Sequence, residues 1–203
     1  MRPLNRKYYI IRNWGFIIVI LLFSNFTKKE EEKIFVKNLA TTNNYEINED
    51  ILYLEKNFIG FKEALAFKES QGRYRVVNKL GYLGKYQFGK GTLRRFKIYD
   101  TTEFLKNPEL QEQAFIALCK VNKWILRKDI SRSVGKKING IRITESGILA
   151  AAHLAGAGNV KKFLRTNGEF QFCDSFGTSI ESYMKKFAGY DVSFIIPNKF
   201  ATV

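Results

Sequence analysis

FIGFKEALAFKESQG, residues 58–72, sets how the rest of the chain is read. Phe58, Phe61 and Leu65 recur at helical spacing, the pattern continues to Glu69, and Gly72 supplies a stop, so Phe58–Gln71 is expected to be helical. Glu69 follows Leu65 at i+4 and Phe61 at i+8, which puts an acid on the apolar face in the last turn. A carboxylate so placed faces the domain interior or the wall of a cleft. Burial and the negative end of a helix both favour the protonated form of a carboxyl, the form a general acid needs. Most carboxylates near helix ends are solvated surface groups, so the flanking sequence has to decide what Glu69 is for.

Downstream, Val76–Phe88 holds Asn78, Gly81 and Gly84 among Val, Tyr, Leu and Phe, a pattern of turns and short extended pieces, and Lys90–Lys97 reads as helical. Asn107-Pro108-Glu109 offers an N-cap, a proline in the first turn and an acid at the positive helix end, opening a long helix toward Leu126. Lys136–Ile143 (KKINGIRI) places Asn139-Gly140 between short β-branched runs, a signature of a tight hairpin. Thr144 caps an alanine-rich helix, Ser146–Leu154, followed by Asn159–Leu164 and a last helix, Thr178–Phe187, capped by Thr178. The Asp191–Val203 tail is apolar enough to pack back onto the domain. This is an α+β inventory: mostly helices with one or two small β-hairpins.

The chain has 203 residues, 45% of them apolar, with 18 Phe and 10 Tyr, which suits one domain with a full core and excludes a disordered or collagen-like polymer. One histidine and two cysteines, Cys119 and Cys173, are too few for the usual zinc patterns, so no metal and no cofactor is expected. Residues 1–26 read as a signal peptide or N-terminal membrane anchor: Arg2, Arg6, Lys7 and Arg12 precede the apolar run Trp14–Phe23. The chain is therefore expected to be exported, to a periplasm or cell envelope, where Cys119 and Cys173 either pair or remain thiols. Residues 27–46 are a polar linker and residues 47–203 the domain. The net charge of +15 falls only to +11 when the four cations of the first segment are removed, so the domain itself is basic. Such a field favours acidic wall polymer or anionic lipid, and the N-terminal segment gives the chain a route to an anionic membrane surface. Nucleic acid is not expected, because no basic-aromatic motif accompanies the charge.

Three motifs in order carry a resemblance. Glu69-Ser70-x-Gly72, then Gly84-Lys85-Tyr86-Gln87-Phe88 with Thr92-Leu93, then Ala151-Ala152-His153-Leu154-Ala155-Gly156-Ala157-Gly158-Asn159-Val160 resemble the lytic transglycosylases of the lysozyme superfamily, over roughly residues 58–190. In that family a Glu-Ser pair ends the catalytic helix, a Gly-Leu-Met-Gln-like segment follows with a downstream Thr, and an Ala-Tyr-Asn-Ala-Gly-Pro-Gly-like segment completes the cleft. The departures are specific: His153-Leu154 stand for Tyr-Asn, Ala157 for the proline, and Lys85-Tyr86 for Leu-Met.

The resemblance implies a lysozyme-like fold and cleavage of the β-1,4 bond between N-acetylmuramic acid and N-acetylglucosamine in peptidoglycan glycan strands. It casts Glu69 as the single acid and base, with Ser70, Tyr86, Gln87, His153 and Tyr183 as substrate-binding residues and a 1,6-anhydro product. A lone carboxyl is chemically sufficient where the sugar's own acetamido group assists. Two alternatives stand beside it: a lysozyme-like muramidase using Asp174, Glu145 or Glu181 as second carboxylate, and a weakly active peptidoglycan-binding accessory protein.

Overall fold

Helices dominate the computed structural model, which describes residues 55–203; the expected export segment, the linker and the first residues of the domain lie outside that range. The first helix, α1 (Phe58–Ser70), buries Phe61, Leu65 and Ala66 as its spacing predicts. Asn57 caps it by accepting from the Gly60 amide. Its far end closes with Gln71 and Gly72 both at positive φ, their amides donating to Phe67 O and Ala66 O. That reversal satisfies the last carbonyls and turns the chain sharply away after Ser70. Residues 76–88 form the expected turns, with Leu83 bridging both Val77 and Phe88.

Two short helices follow, α2 (Lys90–Arg95) and α3 (Thr101–Lys106). The second was not anticipated; Asp100 starts it by accepting from the Thr102 and Glu103 amides. The long helix α4 (Pro108–Ser133) opens at Asn107 as expected but runs a further seven residues past Leu126. The extension is held by Asp129, a buried carboxylate that accepts from Arg132 and Arg165. Burial opposes the Asp129 charge, and the two guanidinium groups outweigh it, drawing its pKa below the ordinary value.

The hairpin forms where Asn139-Gly140 placed it. Strands β1 (Lys137–Ile138) and β2 (Ile141–Arg142) pair antiparallel, Ile138 opposite Ile141, with both turn residues at positive φ. The alanine-rich helix α5 (Glu145–Ala155) begins at Thr144, whose hydroxyl accepts from the Gly147 amide. It is the centre of the domain, packing against α4, α6 (Ala157–Arg165) and α7 (Ile180–Lys186). Gly147 permits the α5–α7 crossing: a Cβ there would sit 2.6 Å from Met184 O. Helix α7 starts later than expected, because Ser179 rather than Thr178 caps it, accepting from the Ser182 amide.

The architecture is thus a helix-rich α+β fold with one two-stranded sheet among the described residues. Aromatic rings fill its core: Tyr86 stacks on Phe115 at 4.1 Å, and Phe61 meets Phe115, Phe187 and Tyr190. The tail packs back through Val192 and Ile195. Cys119 and Cys173 are both free thiols, the first buried and the second exposed. Among the described residues no helix is long and apolar enough to cross a membrane.

Candidate active site

A cleft of about 310 Å³ opens at the C-terminal end of α1. Glu69 lies on its wall with Asn78, Leu80, Tyr82 and Gln87 from the turn segment, His153 and Leu154 from α5, and Phe172–Phe176 from the loop before α7. The last turn of a helix, a tight turn, a helix face and a loop tip thus converge on one carboxylate.

Glu69 is half-buried, and the Tyr183 hydroxyl donates to its Oε1 at 2.6 Å. Tyr183 comes from α7 and is itself buried. Burial first, then the Glu69 charge, push the Tyr183 hydroxyl above its ordinary pKa, so it remains a donor at any working pH. The bond fixes the direction of the carboxylate and leaves its second oxygen unclaimed by that donor.

The sequence reading placed Ser70 and Tyr86 against substrate; the fold gives their side chains other partners. Ser70 is buried, its hydroxyl donates to Lys85 O at 2.7 Å, and it accepts from the Arg73 amide. It ties the end of α1 to the segment 84–88. Tyr86 is fully buried, its ring is in the core and its hydroxyl donates to Glu112 Oε2 at 2.8 Å. Its backbone holds a cleft residue: Tyr86 O accepts from His153 Nε2 at 2.7 Å. Because a carbonyl can only accept, that contact puts a proton on His153 Nε2; Nδ1 is buried and without a protein partner. Gln87 stands at φ 50°, and its side-chain amide donates to Gly84 O at 2.8 Å, which holds the turn as a rigid lip of the cleft.

Behind this lip lies a polar cluster that sequence reasoning missed. Glu112 of α4 accepts from Lys62 at 2.5 Å and from Lys85, Tyr74 and Tyr86 at 2.8 Å each, while Lys85 also donates to Glu63. Burial opposes the Glu112 charge, but the four donors together outweigh it and hold the carboxyl at about 2. Burial likewise opposes the Lys85 charge, and its bonds to Glu112 and Glu63 carry its pKa above the ordinary value. Next to it, Gln111 is fully buried; its Oε1 accepts from the Lys85 amide, and its Nε2 donates to Tyr74 O and Phe104 O. Gly84 has to be glycine here, since a Cβ would sit 2.2 Å from Gln111 Oε1.

Of the three acids considered as a second carboxylate, Asp174 alone lines the cleft. Its Oδ1 accepts from the Phe176 and Thr178 amides. Glu145 pairs with Lys123, and Glu181 accepts from Asn139. Among the described residues no three His, Cys, Asp or Glu side chains come together as metal ligands. The arrangement is suited to acid–base work on a ligand held in a half-polar groove: one oriented carboxyl, one imidazole on the wall, and polar and aromatic groups on the rim. Comparison with protein-family models, with curated proteins and with solved structures finds no match to this chain.

Proposed function

We propose that the chain is a lytic transglycosylase with a lysozyme-like fold, cleaving the β-1,4 bond between N-acetylmuramic acid and N-acetylglucosamine in peptidoglycan. The observation that carries this reading is the Glu69 carboxyl at the end of α1, oriented by Tyr183 at 2.6 Å on the wall of a cleft that also takes in Gln87 and His153. Its support from the sequence is the order of the three motifs that supply these residues.

Glu69 protonates the glycosidic oxygen as the C1–O bond breaks, and the muramic acid's own acetamido oxygen stabilises the electron-poor C1. The Glu69 carboxylate then takes the proton of the 6-hydroxyl, whose oxygen closes on C1 to give the 1,6-anhydro sugar. Glu69 ends the cycle protonated again, and no water is consumed. The Tyr183 hydroxyl donates to the carboxylate during the interval when it is charged. Gln87 and His153, on the cleft wall, position the sugar. Ser70, Tyr86 and the Glu112 cluster hold the lip in place from behind. Peptidoglycan strands are the partner, and export by the N-terminal segment brings the enzyme to the envelope that contains them.

Asp174 supports a second reading, a muramidase in which that carboxylate activates water. The test is digestion of purified peptidoglycan by the full chain, with identification of muramic-acid ends by mass spectrometry. Anhydro ends that vanish with Glu69→Gln and persist with Asp174→Asn are expected. Reducing ends lost in both variants would replace the transglycosylase with the hydrolase. Intact glycan from the wild-type chain, with binding retained, would leave only the accessory role.

A further inference from the structure

The C-terminal strap, residues 191–203, lies along α4. Lys123 Nζ donates to Val192 O at 3.2 Å, and the Asn198 amide donates to Lys120 O at 3.1 Å. Between these two points Ile195 is fully buried, so its neighbours Phe194 and Ile196 turn outward and stand 64% and 72% exposed. Phe200 follows at 78%. Single apolar side chains scattered on a surface need no explanation; three within one pinned heptapeptide form a strip.

Cations border that strip. Lys120, Trp124 and Lys128 share one face of α4 at i, i+4 and i+8. Lys199 lies 5.2 Å above the Trp124 ring and 5.3 Å above the Phe200 ring, with Arg127 at 4.1 Å from the same indole. Among the described residues Lys120, Arg127, Lys128 and Lys199 have no carboxylate partner, whereas Glu145 is taken by Lys123 and Asp129 by Arg132 and Arg165. Asp191, at the start of the strap, is the one acid in the segment. Phe194 stacks on Phe58 at 5.2 Å, at the opposite end of α1 from Glu69. Eleven residues of helix separate those ends, about 17 Å, so the strap and the cleft do not compete for the same space.

We propose that this face docks on an anionic lipid bilayer, with Phe194, Ile196 and Phe200 entering the acyl boundary and the four unpaired cations meeting lipid phosphates. Apolar side chains bordered by Lys and Arg are the composition that an anionic interface selects. The amphipathic Trp124 ring belongs at headgroup depth. This does not depend on the glycosidase reading, since no residue of the cleft takes part.

The chain has two tryptophans, so Trp14→Phe leaves Trp124 as its own reporter in the full-length protein. The protein is mixed with vesicles of equimolar phosphatidylglycerol and phosphatidylcholine carrying brominated acyl chains, and with brominated phosphatidylcholine alone. Trp124 emission should be quenched in the anionic vesicles, much less in the neutral ones, and progressively less as salt rises. Phe194→Ser/Ile196→Ser/Phe200→Ser should cut the quenching severalfold, and Lys120→Glu/Lys128→Glu, which leaves the apolar strip intact, should do the same. Circular dichroism confirms that both variants are folded. Quenching unchanged in both variants would mean that the N-terminal segment alone brings the protein to the bilayer, and the proposal falls. It falls equally if Trp124 is unquenched in anionic vesicles while the same substitutions release the protein from peptidoglycan sacculi, which would assign the face to wall polymer.

Discussion

Glu112→Gln removes one negative charge from a site where two lysines and two tyrosines converge on it. The carboxyl sits at about 2 against an ordinary 4.5, a gap worth ~3 kcal/mol at about 1.4 kcal/mol per pH unit. The side chain is only 19% exposed, so solvent screening discounts that figure little. Breaking a buried ion pair from one side costs about 3–5 kcal/mol, an independent route to the same size. The expected loss is therefore about 3 kcal/mol at neutral pH, lowering the thermal midpoint by roughly 6–12 °C for a domain of this length. The pH dependence follows from the sign. A carboxyl held below its unfolded value stabilises fully above about 4.5, and that stabilisation is lost as pH falls through about 2. Urea unfolding of wild type and variant, followed by circular dichroism from pH 7 downward, should show two curves that approach each other across that window. A difference below about 1 kcal/mol at pH 7, or one that persists undiminished at the lowest pH, would refute the view that charge in this cluster braces the lip.

Three further outcomes are expected. Tyr183→Phe removes a hydrogen bond to a charged group, worth about 1.5–3 kcal/mol, and should slow glycan cleavage roughly 10- to 100-fold while substrate affinity is little changed; an unaltered rate would deny Tyr183 its orienting role. Gly84→Ala drives a Cβ into Gln111 at a residue with φ +73°, and should cost about 2–4 kcal/mol in denaturant melts, where a neutral result would show that Gln111 can swing away. A colorimetric thiol titration should count one reactive cysteine per native chain, Cys173, and two in denaturant, because burial both hides the Cys119 thiol and pushes it up.

Local signals carried most of the fold. The 3.6-residue spacing of Phe58, Phe61 and Leu65, the caps at Asn107 and Thr144, and Asn139-Gly140 each act within a few residues, and each element formed where its signal stood. Errors fell where tertiary contacts decide. Helix α4 outran its expected end because Asp129 finds Arg165, 36 residues away, and α7 begins only at Ile180 because the Ser179 hydroxyl, not Thr178's, accepts from the Ser182 amide. In the cleft, Glu69, Gln87 and His153 were legible from motif order. The aromatic rim at Tyr82 and Phe176 was not, since neither carries a local pattern that separates a rim from a core residue.

The departure at Lys85-Tyr86 has its physical reason in the same place. Where the resembled family has Leu-Met, this chain has a lysine and a tyrosine, both buried, and each then requires a polar partner. Glu112 supplies both, 27 residues from Lys85 and 26 from Tyr86, with Tyr74, Lys62 and Glu63 completing the set. The main chain of the same pair makes the contacts to α1 and α5: Lys85 O accepts from Ser70 Oγ and Tyr86 O accepts from His153 Nε2. The Lys85 and Tyr86 side chains are therefore one half of a remote polar unit with Glu112, while their main chain holds Ser70 and His153. Placing Leu and Met at 85 and 86 without also replacing Glu112 should destabilise the domain, because it strands the buried carboxylate with only Lys62 and Tyr74. Adding Glu112→Leu to that pair should recover stability, a coupling that a double-mutant cycle in urea measures directly, and simple additivity of the changes would break the link between the motif and α4.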